Sequence, residues 1–415
     1  MIPSIQNIEI MAPAGSYESL MAAINAGASS VYFGVGNLNM RSKSANFELE
    51  DLGKIVSICN ENDVKSYLTL NTVMYDEDLL GFKELCDLAK KLGVNAIIAS
   101  DISVIEYARS IELEVHMSTQ ANISNIDAVK FYSKYADVVV LARELSLEQV
   151  KEICREIESR KICGPSGKLV EVEVFVHGAM CVAISGKCYM SLAQYNSSAN
   201  RGKCLQTCRR TYKVTDTETG DELVIDNKYV MSPKDMCTIK ILDKLIDAGV
   251  SIFKIEGRAR GPEYVDMVVR QYKLVIDKIE SGKYSSEDAE IAENELKKVF
   301  NRGFWENGYY LGKKLGEWSG AYGSKATTKK IQIGKVVNFF KKSMIAEVVI
   351  ESHEISKGYN IAITGPTTGL VYSELDVILD GKDEKVEKLV KGQIGTIKLN
   401  KIVRKNDKLF VIQDR

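Results

Sequence analysis

Eight short apolar runs, each closing on polar residues and each followed by a stretch with helical periodicity, constrain what this chain can fold into. They occupy residues 8–12, 30–34, 65–71, 96–100, 114–118, 137–141, 171–176 and 251–255. Between the first two, residues 16–26 read as a helix, with Ser16 as N-cap and Gly27 as stop. Eight strand–helix units in order fit a closed parallel barrel better than an open sheet. With 415 residues, 45% of them hydrophobic, the chain can bury such a core. The expected class is α/β: a TIM-like (β/α)8 barrel over residues 1–300, with a cysteine-rich insertion after strand seven at about 179–240. Pro262 suits the first turn of a long helix after strand eight. Residues 301–328, with Trp305, Tyr309, Tyr310 and Trp318, read as a linker, and the short strands of residues 329–415 as a small C-terminal β-barrel.

In such barrels the active site lies at the C-terminal ends of the strands. Those ends carry Asn71, Asp101, Ser118 with Gln120, Arg143, His177, Lys254, Glu256 and Arg258. Asp101 serves equally well as a helix N-cap. Arg143 and Arg258 are harder to set aside, because a guanidinium at a barrel mouth needs an anion or a carboxylate partner. The catalytic candidates are therefore Arg143, His177, Lys254, Glu256 and Arg258.

Nine cysteines in a chain without a basic, apolar export segment point to metal binding or catalysis rather than disulfides. Cys59, Cys86 and Cys154 sit in amphipathic helical patterns and read as core; Cys163 and Cys237 are minor candidates. Cys181, Cys188, Cys204 and Cys208 all fall in the one insertion, separated by six, fifteen and three residues. Structural zinc usually takes two close cysteine pairs, whereas an iron-sulfur cluster accepts wider spacing, so the cluster is favoured but zinc stays open. Lys187, Arg201, Lys203, Arg209 and Arg210 flank these thiols and would offset thiolate charge, or form a solvated basic loop. His177 and Cys181 also stand four residues apart, as a nucleophile pair on a helix would. The three histidines form no His-Glu-x-x-His motif. Fifty-five Lys and Arg against 56 Asp and Glu exclude a polybasic binder, so any nucleic-acid site is a local patch. No stretch is long and apolar enough to span a bilayer, and the expected location is cytoplasmic.

The segment Glu173-Val-Phe175-Val-His-Gly178-Ala-Met-Cys181-Val-Ala-Ile-Ser-Gly186-Lys-Cys188-Tyr-Met-Ser191 resembles the signature of the collagenase-like peptidase family U32. So do Met11-Ala-Pro-Ala-Gly15, residues 28–34, Asn200-Arg-Gly-Lys-Cys204-Leu-Gln-Thr-Cys208-Arg209 and Lys254-Ile-Glu-Gly-Arg258. Gly365-Pro-Thr-Thr-Gly369 and Lys391-Gly-Gln393 resemble the β-barrel of longer members. Despite the family's name, the resemblance implies hydroxylation without molecular oxygen, on tRNA wobble uridine, a ribosomal RNA cytidine or ubiquinone precursors. It implies a 4Fe-4S cluster on Cys181, Cys188, Cys204 and Cys208, although in related quinone hydroxylases one ligand comes from elsewhere in the chain, which leaves Cys208 against Cys237 open. The pattern is most similar to the tRNA 5-hydroxyuridine enzymes, whose activity depends on prephenate.

On that basis Arg143, Lys254 and Arg258 are expected to clamp a small dicarboxylate such as prephenate. Arg201, Arg209 and Arg210 are expected to hold tRNA phosphates. Trp305 and Trp318 suit domain packing better than base stacking. The electron donor has no signature in the sequence. The alternatives are a ribosomal RNA cytidine hydroxylase, a collagenase-like protease, and a zinc protein that binds RNA without chemistry.

Overall fold

The structure, a computed structural model, describes residues 8–43, 46–184, 186–213, 215–222, 231–305, 317–321 and 323–415. Tyr309 and Tyr310 of the linker lie outside the described residues.

Eight parallel strands close into a barrel: β1 (Glu9–Ala14), β2 (Ser30–Phe33), β3 (Lys65–Leu70), β4 (Ala96–Ala99), β5 (Glu114–Met117), β6 (Val138–Val140), β7 (Glu171–Ala179) and, after a three-residue strand β8 (Asp235–Cys237), β9 (Ile252–Ile255). Neighbours follow chain order from β1 to β7. Pairings of β7 with β9 and of β9 with β1 complete the circle. Each of the eight apolar runs has become one barrel strand.

The helices form because their apolar positions recur at three- and four-residue spacing and bury one stripe against the barrel. Leu52, Ile55, Val56 and Cys59 make the stripe of the helix Leu52–Glu61, Phe82, Leu85, Cys86 and Ala89 that of Leu79–Leu92, and Val150, Ile153, Cys154 and Ile157 that of Leu147–Ser159. Burial pushes the three thiols on these stripes up to about 12, so they behave as small apolar groups. Ser16 caps Tyr17–Asn25 by accepting from Ser19 N, and Pro262 opens Pro262–Glu280. Among the described residues no helix is long and apolar enough to cross a membrane.

Strand β8 runs antiparallel to β7, pairing Ala179 with Asp235, Gly178 with Met236 and His177 with Cys237. The connector locks it from the other side. Arg302 donates to the Asp235 carboxylate at 3.1 Å, and Trp305 N donates to the Asp235 carbonyl at 2.9 Å. Trp305 is buried in the barrel core, whereas Trp318 is 43% exposed.

Residues 328–414 form an eight-stranded antiparallel sheet around a second apolar core that includes Val336, Val348, Ile363 and Leu409. Its end strands, Gly369–Glu374 and Lys385–Val386, do not pair with each other among the described residues, so the ladder does not close. The long strand Thr328–Phe340 bends at two register shifts. At one of them stands Gly334, where a Cβ would run into the Val349 carbonyl. The sheet docks on the barrel through Ala362, Leu370 and Phe410, which pack on Ala22 of the first helix.

Candidate active site

The C-terminal ends of the barrel strands enclose a cavity of about 100 Å³. Tyr32, Thr69, Asn71, Ser118, Gln120, Arg143, Phe175, Lys254, Glu256 and Arg258 reach it from the barrel. Met40 and Arg41 come from the loop after β2, and Cys181 and Gly186 from the insertion. Arg143 and Cys181 therefore face one space. A larger cleft of about 620 Å³ lies at the junction with the C-terminal sheet, but it shares no residue with the mouth, and its Lys330 and Glu263 neutralise each other at 2.6 Å.

Most charges at the mouth are already committed. Glu256 Oε1 lies 2.6 Å from the Arg41 guanidinium. Burial pushes this carboxyl up, but Arg41, followed by the more distant charges of Arg258 and Arg143, outweighs it and holds the carboxyl down at about 2. Lys254 Nζ is buried 2.7 Å from Glu173 Oε1, over the Tyr32 ring at 4.7 Å, so its charge is balanced within the protein while the side chain still lines the cavity. Arg258 differs. It donates to the neutral Asn39 Oδ1 at 3.1 Å and Thr69 Oγ1 at 2.9 Å, and burial, with Arg41 adding to it, brings its guanidinium down to about 10. A buried cation held by neutral oxygens gains from an anion. Arg143 stacks on Phe175 with its carbon 4.9 Å from the ring centre and donates to Met180 Sδ at 3.9 Å. Asn71 is fixed between Met40 N, 3.2 Å away, and Ser118 Oγ, 3.3 Å away, and Ser118 donates to Gln120.

His177 is not brought to this cavity. It sits on a strand rather than a helix, so the spacing to Cys181 makes no pair, and a register shift after Phe175 turns its ring outward. There it packs among Tyr264, Tyr272 and Phe304, with Nδ1 3.4 Å from Tyr272 Oη. Burial holds its imidazole down at about 3, and it is neutral. Asp101 is a cap: it accepts from Ser103 N at 3.0 Å and from Met74 N at 2.9 Å.

The insertion is tied to the mouth by two of the arginines expected to hold RNA phosphates. Arg209 donates to the carbonyls of Met180 and Pro233 at 2.5 Å and to Ser232 Oγ at 3.0 Å. Arg201 pairs with Asp78, donates to the Val73 carbonyl at 2.8 Å and stacks on Tyr75 at 4.1 Å. Both are spent inside the protein. Arg210 stays exposed, stacked on Tyr195.

Cys181, Cys188, Cys204 and Cys208 are all partly buried. Burial lifts the Cys208 thiol to about 11, with Arg209 working against it and the charges of Cys181, Cys204 and Cys188 adding to it, so the four belong to one neighbourhood. Cys237 does not share it. It lies in the barrel core, pushed up to about 12 by burial, beside Tyr272 and Glu293. Among the described residues no three His, Cys, Asp or Glu side chains converge on a point that would hold one ion. Four thiols with a guanidinium beside them suit a larger sulfur-ligated cluster by their chemistry.

Sequence patterns missed three residues of the site. Arg41 and Asn39 lie in an irregular loop whose spacing carries no signal. Glu173 was legible as a charge inside an apolar strand run.

Residues 15–320 match the model of Peptidase family U32. The chain is 54% identical over 413 residues, 99% of each chain, to a protein named collagenase from Porphyromonas gingivalis strain W83. It is 38% identical over 413 residues, 98% of each, to a protein named as an uncharacterized protease from Methanocaldococcus jannaschii. It is 35% identical over 276 residues, 65% of this chain and 63% of the relative, to tRNA hydroxylation protein P1 from Bacillus subtilis.

Proposed function

Since this chain belongs to peptidase family U32 and is an enzyme of that family, we propose that it hydroxylates RNA without molecular oxygen, at the tRNA wobble uridine, with prephenate or a similar carboxylate as cosubstrate. The observation that carries this reading is that Arg258, Arg143 and the Arg41–Glu256 pair share one small cavity with Cys181 of the four-thiol insertion. Cys181, Cys188, Cys204 and Cys208 would hold a 4Fe-4S cluster, which when bound supplies one-electron chemistry.

The chain's own residues bind and orient. Arg258 takes the carboxylate, trading neutral oxygens for a charged one, and Arg143 takes its other end. Glu256 keeps Arg41 in place, while Tyr32 and Phe175 wall the cavity against water. About 100 Å³ is small beside the roughly 300–1,000 Å³ of ligand pockets. The cavity takes the reactive ends of its ligands, and the wobble base, already partly unstacked in its loop, enters from the rim.

A second reading, collagenase-like peptidase activity, is favoured by the 54% identical relative of that name. The geometry gives it less support. His116 and His177 are both buried and line no part of the cavity, and His353 lies in a bend of the C-terminal region, so no histidine stands by to activate a nucleophile there. Mass spectrometry of tRNA from a deletion strain, beside a gelatin-cleavage assay on anaerobically purified protein, separates the two. Loss of 5-hydroxyuridine without gelatin cleavage supports hydroxylation; intact wobble modification with cleavage overturns it. A missing hydroxycytidine in ribosomal RNA would move the substrate to that RNA.

A further inference from the structure

The interior of a parallel eight-stranded barrel is normally filled by branched apolar side chains. Part of this one is, with Met11, Ala96, Ile98, Val138 and Ile252. The remainder is ionisable. Glu173 on β7 is fully buried, and its Oε1 accepts from Lys254 Nζ at 2.7 Å on the floor of the mouth cavity. Deeper in the barrel Tyr67 on β3 donates to Glu9 Oε1 at 2.9 Å, and Glu9 Oε2 accepts from Lys65 Nζ at 2.7 Å. Lys65 opens its strand, and its side chain is 54% exposed at the end of the barrel opposite the mouth.

Among the described residues, two atoms between these side chains have no hydrogen-bond partner. They are Glu173 Oε2 and His116 Nδ1, both buried. The His116 ring lies 4.5 Å from the Tyr67 ring, and its Nε2 is 3.2 Å from Glu114 Oε1. Burial pushes the Tyr67 phenol far up, and the charges of Glu9, Glu114 and Glu173 all raise it further. Glu171, the next inward residue of β7, completes that lower ring beside Lys65. Buried polar atoms without partners are costly and rare, and one water with two to four polar neighbours is the usual way such atoms are matched.

We propose that the barrel interior is a proton path joining the end opposite the mouth to Lys254, through Lys65 and Glu9, Tyr67, one bridging water and Glu173. In each cycle Lys254 Nζ gives a proton to the bound cosubstrate, the Glu173 carboxylate takes one at Oε2 from the bridging water, and the neutral acid so formed passes one to Nζ. The water is refilled by Tyr67 Oη, Tyr67 by Glu9, Glu9 by Lys65, and Lys65 by solvent. One proton enters for each delivered, and no electrons move. The competing account is an ion-pair network that only fixes the barrel.

This goes beyond the proposed hydroxylation, and only its kinetic test rests on that reading. A high-resolution crystal structure of the full chain should show a water within hydrogen-bond reach of Glu173 Oε2 and of Tyr67 Oη or His116 Nδ1; a dry gap there overturns the path. In tRNA hydroxylation assays Tyr67→Phe and Glu173→Gln should lower kcat about a hundredfold, the scale of a lost proton transfer, with KM unchanged and a larger solvent deuterium isotope effect. An unchanged kcat and isotope effect in Tyr67→Phe also overturns it, whatever happens to thermal stability. If the wild-type protein hydroxylates no RNA, the hydroxylase reading falls and the crystallographic result alone decides the path.

Discussion

Arg41 and Glu256 show how one side chain from an irregular loop governs the charge state of the mouth. With its carboxyl held at about 2, Glu256 contributes stability that is complete above the ordinary glutamate value of about 4.3 and is lost as pH falls through about 2. Arg41→Ala should cost about 3 kcal/mol at pH 7, as expected when one partner of a largely buried pair is removed. The gap from wild type should close between about pH 4 and pH 2, read from urea midpoints. A gap that stays constant over that range would mean Arg41 acts by packing alone. The cysteines give the second prediction at this scale. Replacing Cys181, Cys188, Cys204 or Cys208 by Ser should remove iron and sulfide from anaerobic protein, and Cys237→Ser should leave both, because Cys237 sits apart in the core. Iron retained in Cys208→Ser would reopen the ligand set. Arg143, Lys254, Glu256 and Arg258 were legible as strand-end charges. His177 was not read correctly, because a single register shift sends its ring outward and no local pattern announces a bulge.

At the level of elements, periodicity went far. The apolar runs located the barrel strands, and the stripes that located the helices also explain three cysteines that have no part in the chemistry. Strand β8 was invisible, since three residues in a polar stretch form a strand only because β7 and the connector supply partners on both sides. The insertion is fitted to the loop after β2 as closely as a strand to its neighbour. Gly202 has φ +73°, and a Cβ there would run into the Asn39 carbonyl, the residue whose side chain holds Arg258. Gly202→Ala should therefore cost about 1–3 kcal/mol from backbone strain alone and push the insertion off the mouth. Limited proteolysis should then cut the insertion faster while the barrel persists. Unchanged cleavage would show that this contact gives way without consequence.

Among the described residues the barrel and the C-terminal sheet each enclose their own apolar core, and small apolar contacts and the Lys330–Glu263 pair join them. Phe410 is the largest of these contacts. Phe410→Ala should weaken the junction by about 3 kcal/mol, the low end for a buried phenylalanine, and split one calorimetric transition into two. A single transition at a lower temperature would instead mean that the two cores unfold together regardless. The sequence pattern distinguished the two regions because their periodicities differ, but it could not show that the second ladder stays open among the described residues, since that depends on which end strands find partners.

The pairing of Ala179 with Asp235 brings the two ends of the insertion side by side, hydrogen-bonded as neighbours in a hairpin. A tight turn could therefore replace everything between them without asking any barrel strand to move. The thiols thus all lie on one segment whose two ends meet. Copies of this barrel that lose that segment would keep Arg41, Arg143 and Arg258 at the mouth while losing all four thiols in one deletion.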